Sequence, residues 1–427
     1  MRIRVHRGCR EIGGSCVEVE AAGFRLVLDV GKPLTAGWDE HVPLPDVPGL
    51  ANGDDPSLLA VLISHPHLDH YGLIDQVSPR VPVYAGAGAA AVVGAARFFS
   101  PSGPALSPTG HLVDGVPIVL GPFTVTPHLV DHSGFDSYAL VVDAGGRRLM
   151  YTGDLRGHGR KGRLFEKMLS APPVGVDTLL LEGTHIRPAT DPTAKPPEGA
   201  TEPAVPPTES QVELDMAATF RASVGLPVVV SSAQNIDRLV TVYRAARRAG
   251  RTLLVDLYTA TVAQATGRAT IPQPGFPQLG VYVPQRQRAL VKTTGELNRT
   301  HDVRPHRVFP EDLLAASERY VLLTGSSTVP ELIRAGSLDK RGVLVWSLWS
   351  GYLTEPSGVR LRARVVAAGV PFIQHHTSGH APLGDLKRLV AAVNPARVVP
   401  IHTEGAGEYA RHFPAVTPHQ DGTWWTV

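Results

Sequence analysis

Cysteine is almost missing from this chain: its 427 residues hold two, Cys9 and Cys16. Two thiols cannot build the disulfide framework of a small secreted domain, so both are expected as buried thiols in a reducing, cytoplasmic setting. The start, MRIRVHRG, has no apolar core of the kind that marks a signal peptide. No uninterrupted apolar run is long enough to span a bilayer, so no membrane association is expected. Excess charge is missing too. A formal net charge of +2 does not argue for a nucleic-acid partner, and any such surface has to be local. What is present is 43% hydrophobic residues, enough for a sizeable core and two domains. The 43 glycines and 38 prolines point to many turns and a loop-rich sheet protein.

The chain is organised around LLAVLISHPHLDH, Leu58 to His70. Leu58 to Ile63 reads as a buried strand. It runs into His65, His67, Asp69 and His70, four potential metal ligands within six positions. Alternation along an extended segment puts His65 and His67 on one side, while Asp69 and His70 follow a bend and can turn to a second centre. That arrangement suits two adjacent metals better than one; a coincidental His-rich turn is the bland alternative.

Around this stretch the chain alternates. Arg2 to Val5, Val17 to Glu20 and Phe24 to Asp29 read as strands, with Asp29 placed to brace the metal centre. Trp38 to Asp55 is a Pro-rich loop. Tyr71 to Gln76 and Gly88 to Phe99 read as helical, and Val81 to Tyr84 as a strand. Phe123 to Pro127, Ser137 to Val142 and Arg147 to Tyr151 are further strands, with His128 and His132 in the loop after the first. Asp154 and Glu182 each stand at a strand end. Composition then breaks: Arg187 to Ser210 carries seven prolines and reads as a surface loop. Ser210 and Glu213 form a capping-box signal for a helix over Gln211 to Ser223. A regular α/β pattern follows to about residue 370, although Gln264 to Arg307 is ambiguous. Phe372 to His375, Leu383 to Val393 and Arg397 to Ile401 bring the chain back to ligand-rich loops around His380 and His402.

Imidazole and carboxylate donors without cysteine suit a hydrolytic site for two divalent metal ions, Zn²⁺ first and Mn²⁺ as the alternative. We place one metal on His65, His67 and His132, the other on Asp69, His70 and His402, with Asp154 bridging. Metals about 3.5–4 Å apart can share an activated water and clamp attacking and leaving oxygens. His128 is the rival of His132. His380, between small residues in a loop opening onto a helix, is the expected catalytic histidine. Glu182 is expected to orient it, and Asp69 is counted among the catalytic residues as well as the ligands. A structural histidine is the alternative for His380, with His375, His376 and His185 as weaker rivals.

Together these residues resemble the metallo-β-lactamase superfamily, and within it the β-CASP nuclease branch with its ribonuclease J-like enzymes. HPHLDH at 65 to 70 matches the HxHxDH motif, while DH at 131 to 132 and TGD at 152 to 154 look like the third and fourth motifs. LLEGTH at 180 to 185, with Glu182 as the acid, looks like β-CASP motif A; SGH at 378 to 380 and PIHTEG at 400 to 405 look like motifs B and C. The resemblance implies an α/β fold: a metallo-β-lactamase αββα sandwich, residues 1–183 and 371–427, with an inserted α/β β-CASP domain at 184–370. A histidine at motif C, here His402, implies an RNA-directed member. Such relatives usually carry a further C-terminal domain.

The expected function is metal-dependent hydrolysis of RNA phosphodiester bonds, exonucleolytic or endonucleolytic, with single-stranded RNA as substrate. The alternatives are a hydrolase of a small ester or phosphodiester, or an RNA-binding subunit of weak activity. A homo-oligomer stays open. Candidate phosphate contacts are Arg238, Arg244, Arg247, Arg248, Arg251, Arg286 and Arg288, with Ser231, Ser232, Asn235 and Thr324 to Ser327 as loops that could receive a phosphate. A solvated helix face is the competing reading of the arginines.

Overall fold

The computed structural model describes residues 1–37, 40–101, 103–188 and 205–427. Most of the Pro-rich loop expected at 187–210, and Trp38 at the start of the earlier one, lie outside them. The backbone forms two compact units, Met1–Lys195 with Gly379–Val427, and Pro196–Ser378. Among the described residues no helix is long and apolar enough to cross a membrane.

The first unit is built on two sheets. One has seven strands, in the spatial order Trp424–Thr426, Arg2–Arg7, Cys16–Ala21, Phe24–Leu28, Leu58–Leu62, Val83–Gly86 and Gly110–Leu112. The other has six: Val398–Ile401, Thr178–Glu182, Arg147–Tyr151, Tyr138–Ala144, Phe123–Leu129 and Ile118–Leu120. Alternation makes each sheet apolar on both faces. Ile3, Val19, Leu26 and Leu62 pack inward against Phe123, Leu140, Leu149 and Leu180. On the outer face of the first sheet, Val27 and Val61 pack with Val93 of helix Ala87–Arg97. On the outer face of the second, Val141, Met150 and Leu179 meet Phe165 and Leu386, from helices Gly162–Ser170 and Leu383–Val393. This is an αββα sandwich. A Leu62→Ala change, in a side chain with no exposure, would cost about 2–5 kcal/mol.

The second unit is a wholly parallel seven-stranded sheet: Arg307–Val308, Leu279–Tyr282, Thr252–Asp256, Tyr320–Thr324, Pro227–Val230, Val343–Trp346 and Phe372–Gln374. Its central strands are unbroken apolar runs such as Pro227–Val230, as burial on both faces requires. The ambiguous stretch 264–307 resolves into strand Leu279–Tyr282 and helix Gln285–Thr294.

Several boundaries differ from the sequence reading, each for a local reason. Phe372–Gln374 pairs with Val343–Trp346, so the parallel sheet of the second unit extends past residue 370 and the compact units divide at 378/379. The helix expected from Gln211 starts at Glu209, because Thr208, not Ser210, accepts the bond from the Gln211 N–H. Where a helix is expected over Tyr71–Gln76, a one-turn α-helix spans Leu68–Tyr71, inside the candidate ligand motif, and a 3₁₀ turn follows at Ile74–Gln76.

Candidate metal centre

The parallel strands Phe24–Leu28 and Leu58–Leu62 end side by side, and their last residues set the site. Asp29 turns into the left-handed region (φ 61°), where Asp is tolerated. Its buried carboxylate accepts from Ser64 N and Ser64 Oγ, both at 2.7 Å, from Tyr151 OH at 2.7 Å, and from His70 Nδ1 at 2.8 Å. Because Ser64 Oγ donates to Asp29, it accepts from His65 Nδ1 at 3.0 Å. His132 Nδ1 donates to the Gly379 carbonyl at 2.6 Å. In all three rings a proton is therefore fixed on Nδ1, which leaves Nε2 as the atom that can offer a lone pair to a cation.

Those lone pairs converge. His65, His67, His132 and Asp154 offer donor atoms within 4.8 Å of one another, and so do Asp69, His70, Asp154 and His402. A third set, Asp154, Glu182, His380 and His402, overlaps the second. Nε2 of His132 lies 3.0 Å from His67 Nδ1. Asp154 Oδ2 lies 3.4 Å from His65 Nε2 and 3.2 Å from His70 Nε2, and His402 Nε2 is 3.2 Å from Asp69 Oδ2. Two donors on one tetrahedral zinc, at bonds of about 2.0–2.1 Å, stand about 3.3 Å apart. His65 Nε2, His70 Nε2 and both oxygens of Asp154 are buried and make no hydrogen bond. A buried polar atom left so costs about 1–3 kcal/mol. These donors fit divalent cations.

Electrostatics agree. Burial pulls His65 and His132 well down and His67 to about 4, favouring the neutral, ligating ring. Burial alone would raise Asp154 and Asp69. The facing histidines overcome it, His402 and His70 foremost at Asp154 and His70 and His402 at Asp69, holding Asp154 well below the carboxylate range and Asp69 at about 2. Burial opposes charge on His70 too, but Asp154 and Asp69 raise it well above 6.5. The carboxylates that would keep a proton there are those that favour a cation.

Residues 34–208 match the model of the beta-lactamase superfamily domain, and residues 366–415 that of a Zn-dependent metallo-hydrolase RNA specificity domain. Ribonuclease J of Mycobacterium tuberculosis is 27% identical, over 94% of this chain and 68% of that protein. Ribonuclease J of Sinorhizobium meliloti is 25% identical, over 85% and 60%. A crystal structure of a protein of unknown function from Enterococcus faecalis superposes with a TM-score of 0.79 at 19% identity, covering 100% of this chain and 99% of that one, which speaks for the fold. The chain belongs to the metallo-β-lactamase superfamily, in its ribonuclease J-like β-CASP branch.

In this β-CASP protein, His380 Nδ1 sits 3.3 Å from Glu182 Oε2 and 3.1 Å from Thr184 Oγ1. Burial lowers its pKa, but Glu182 and Asp154 lift it to about 9. Glu182 is buried and also accepts from Leu155 N at 3.1 Å. His402 has φ 52° at a strand end, and its Nδ1 shares Thr184 Oγ1 at 3.0 Å. His128 lies within strand Phe123–Leu129, apart from both ligand sets. His375 bonds to Thr219 in the second unit, and the His185 ring lies 6.3 Å from that of His380. Thr184 and the Gly379 carbonyl were not singled out from sequence: a hydroxyl and a carbonyl carry no pattern, and only the SGH and EGTH motifs around them hint at a role.

The arginine reading is corrected at Arg238 and Arg251. Arg238 is fully buried against Glu209 at 3.0 Å, and Arg251 is buried against the Gly225 carbonyl at 2.7 Å. Arg248 pairs with Glu213 and Arg247 with Gln278. The guanidiniums of Arg238 and Arg251 are held by internal partners, as burial demands, whereas Arg247 and Arg248 stay exposed. Asn235 caps its own helix, accepting from Arg238 N at 2.9 Å.

Proposed function

We propose that the two ligand sets each hold one divalent cation, zinc first and manganese as the alternative, sharing Asp154, and that this centre hydrolyses single-stranded RNA. Metal-dependent RNA hydrolysis is the activity of this ribonuclease J-like protein; the residue roles are the proposal. The observation that carries it is Asp154, whose two buried oxygens lack hydrogen bonds while facing histidines of both sets. When bound, the cations would supply an acidified water and positive charge for the phosphate oxygens.

The chain's own residues prepare that site. Asp29 holds His70 directly and His65 through Ser64, and the Gly379 carbonyl holds His132, each ring aimed by its Nδ1 proton. Glu182 keeps a proton on His380, which can donate to a nonbridging or leaving oxygen of the phosphate. Thr184 ties His380 and His402 to one hydroxyl.

A 5′-labelled single-stranded RNA incubated with the protein and Zn²⁺ or Mn²⁺ tests this. Shortened RNA from the wild type and none from His65→Ala is expected. Turnover of a small ester with the RNA left intact would overturn it. Cleavage of a closed circular RNA separates an endonuclease from an exonuclease.

A further inference from the structure

Two residues past Asp154 the chain enters a basic loop, Arg156–Arg163 (RGHGRKGR), with no acid between Asp154 and Glu166. Its root is fixed. Arg156 is fully buried with Nε 3.4 Å from Asp131 Oδ1, its own N–H donates to the Asp131 carbonyl at 2.7 Å, and Gly159 N donates to Asp131 Oδ2 at 2.8 Å. Asp131 immediately precedes the ligand His132, so the loop is pinned to the metal centre. A Cβ at residue 159 would collide with the Asp131 carboxylate and Arg156, which is why glycine stands there.

Beyond the root the cations change character. Lys161 and Arg163 pair with no carboxylate among the described residues. The neighbouring acids are engaged elsewhere: Arg388 takes Glu166 at 2.8 Å and Asp385 at 3.2 Å. The Lys161 ammonium stands 6.0 Å from the centroid of the Phe135 ring. Phe135 follows His132 by three residues and is only half-buried. Its ring lies so close to Gly88 that a Cβ there would come within 2.7 Å of Cε1. Next to it Asp136 is held at both oxygens, by Tyr138 OH at 2.7 Å and Gly88 N at 2.8 Å. A rigid, partly open aromatic face beside an unpaired cation, with a second, exposed cation two residues further along the chain, is the combination that receives a single nucleic-acid strand: the ring stacks a base and the cations take the backbone.

We propose that Lys161 and Arg163 grip the phosphates of the RNA strand beside the metal centre and that the Phe135 ring stacks one of its bases. The inference rests on the ribonuclease reading and assigns substrate-positioning residues to it. Steady-state cleavage of a single-stranded RNA decamer by the metal-loaded protein, across a series of KCl concentrations, tests it. Lys161→Gln and Arg163→Gln should each raise KM several-fold and flatten the log–log salt dependence by about 0.7. Phe135→Leu should raise KM about 5-fold or more with the salt slope kept, and Lys161→Arg should restore the slope. A merely structural loop would not move that slope. Wild-type KM and slope in the Lys161→Gln/Arg163→Gln double variant, with the wild type cleaving RNA, would overturn the clamp and leave the ribonuclease reading intact. No RNA cleavage by the wild type would remove both.

Discussion

Asp29 shows how much of the centre hangs on one side chain. Its carboxylate reaches His70 directly and His65 through Ser64, so replacing it releases two rings from one shared brace. Asp29→Asn keeps a residue that tolerates φ 61° but removes the charge. We expect zinc affinity to fall about 10–100-fold, read by competition with a chromogenic chelator; unchanged affinity would show that the brace is dispensable. A second buried acid acts on stability instead. Burial should raise Glu18, yet bonds from His6, Arg25 and Arg4 outweigh it and bring its pKa from 4.5 to about 2. A folded pKa below the unfolded one contributes stability that is full above about pH 4.5 and lost as pH falls toward 2. Wild type should lose roughly 2–3 kcal/mol more than Glu18→Gln across that window, measured by urea unfolding at stepped pH. Parallel loss in both proteins would refute the assignment.

Among the elements, the one-turn helix Leu68–Tyr71 is too short to be stable alone and is held by its neighbours. Ser15 N donates to the Asp69 carbonyl at 3.1 Å, Val30 N to that of His70 at 2.8 Å and Lys32 N to that of Leu68 at 2.9 Å. Gly31 makes this docking feasible, since a Cβ there would run into the Asp69 carbonyl and stand 2.7 Å from Ser15 N. Gly31→Ala should displace Asp69 and His70 together and lower kcat at least ~100-fold, with bound metal falling below the wild-type content by mass spectrometry. Full metal content with full activity would sink this. In the second unit, Glu209 begins its helix with its carboxylate buried against Arg238 and Thr241. Glu209→Ala strands the guanidinium and should cost about 3–5 kcal/mol in chemical denaturation. The HxHxDH spacing made the candidate ligands readable, but not the helix, whose residues lack any 3.6-residue periodicity long enough to detect.

For the whole molecule, the two units give metal removal a distinct signature. All proposed ligands lie in the first unit. Chelation should therefore lower the unfolding temperature of that unit, while the transition of the parallel-sheet unit stays in place. At metal held at a hundred times its Kd the difference amounts to about 2.7 kcal/mol. Scanning calorimetry with and without EDTA reads it, and equal shifts of both transitions would contradict a centre confined to the first unit.

His65, His67, Asp69 and His70 were legible because metal chemistry needs those side chains close together, and six consecutive positions supply them locally. Asp154 and His402 were legible as acids and imidazoles at strand ends, and through the motifs around them. Sequence could not show that strand Val398–Ile401 lies parallel beside Thr178–Glu182 and so carries His402 to within 3.6 Å of Asp154. Nor could it tell which arginines point outward: Arg238 reads as a phosphate contact and is a core strut. Which side chains could serve as ligands is local chemistry, written in the order of residues. Tautomer, ion-pair partner and exposure are properties of what packs against a side chain, and only the folded chain decides those.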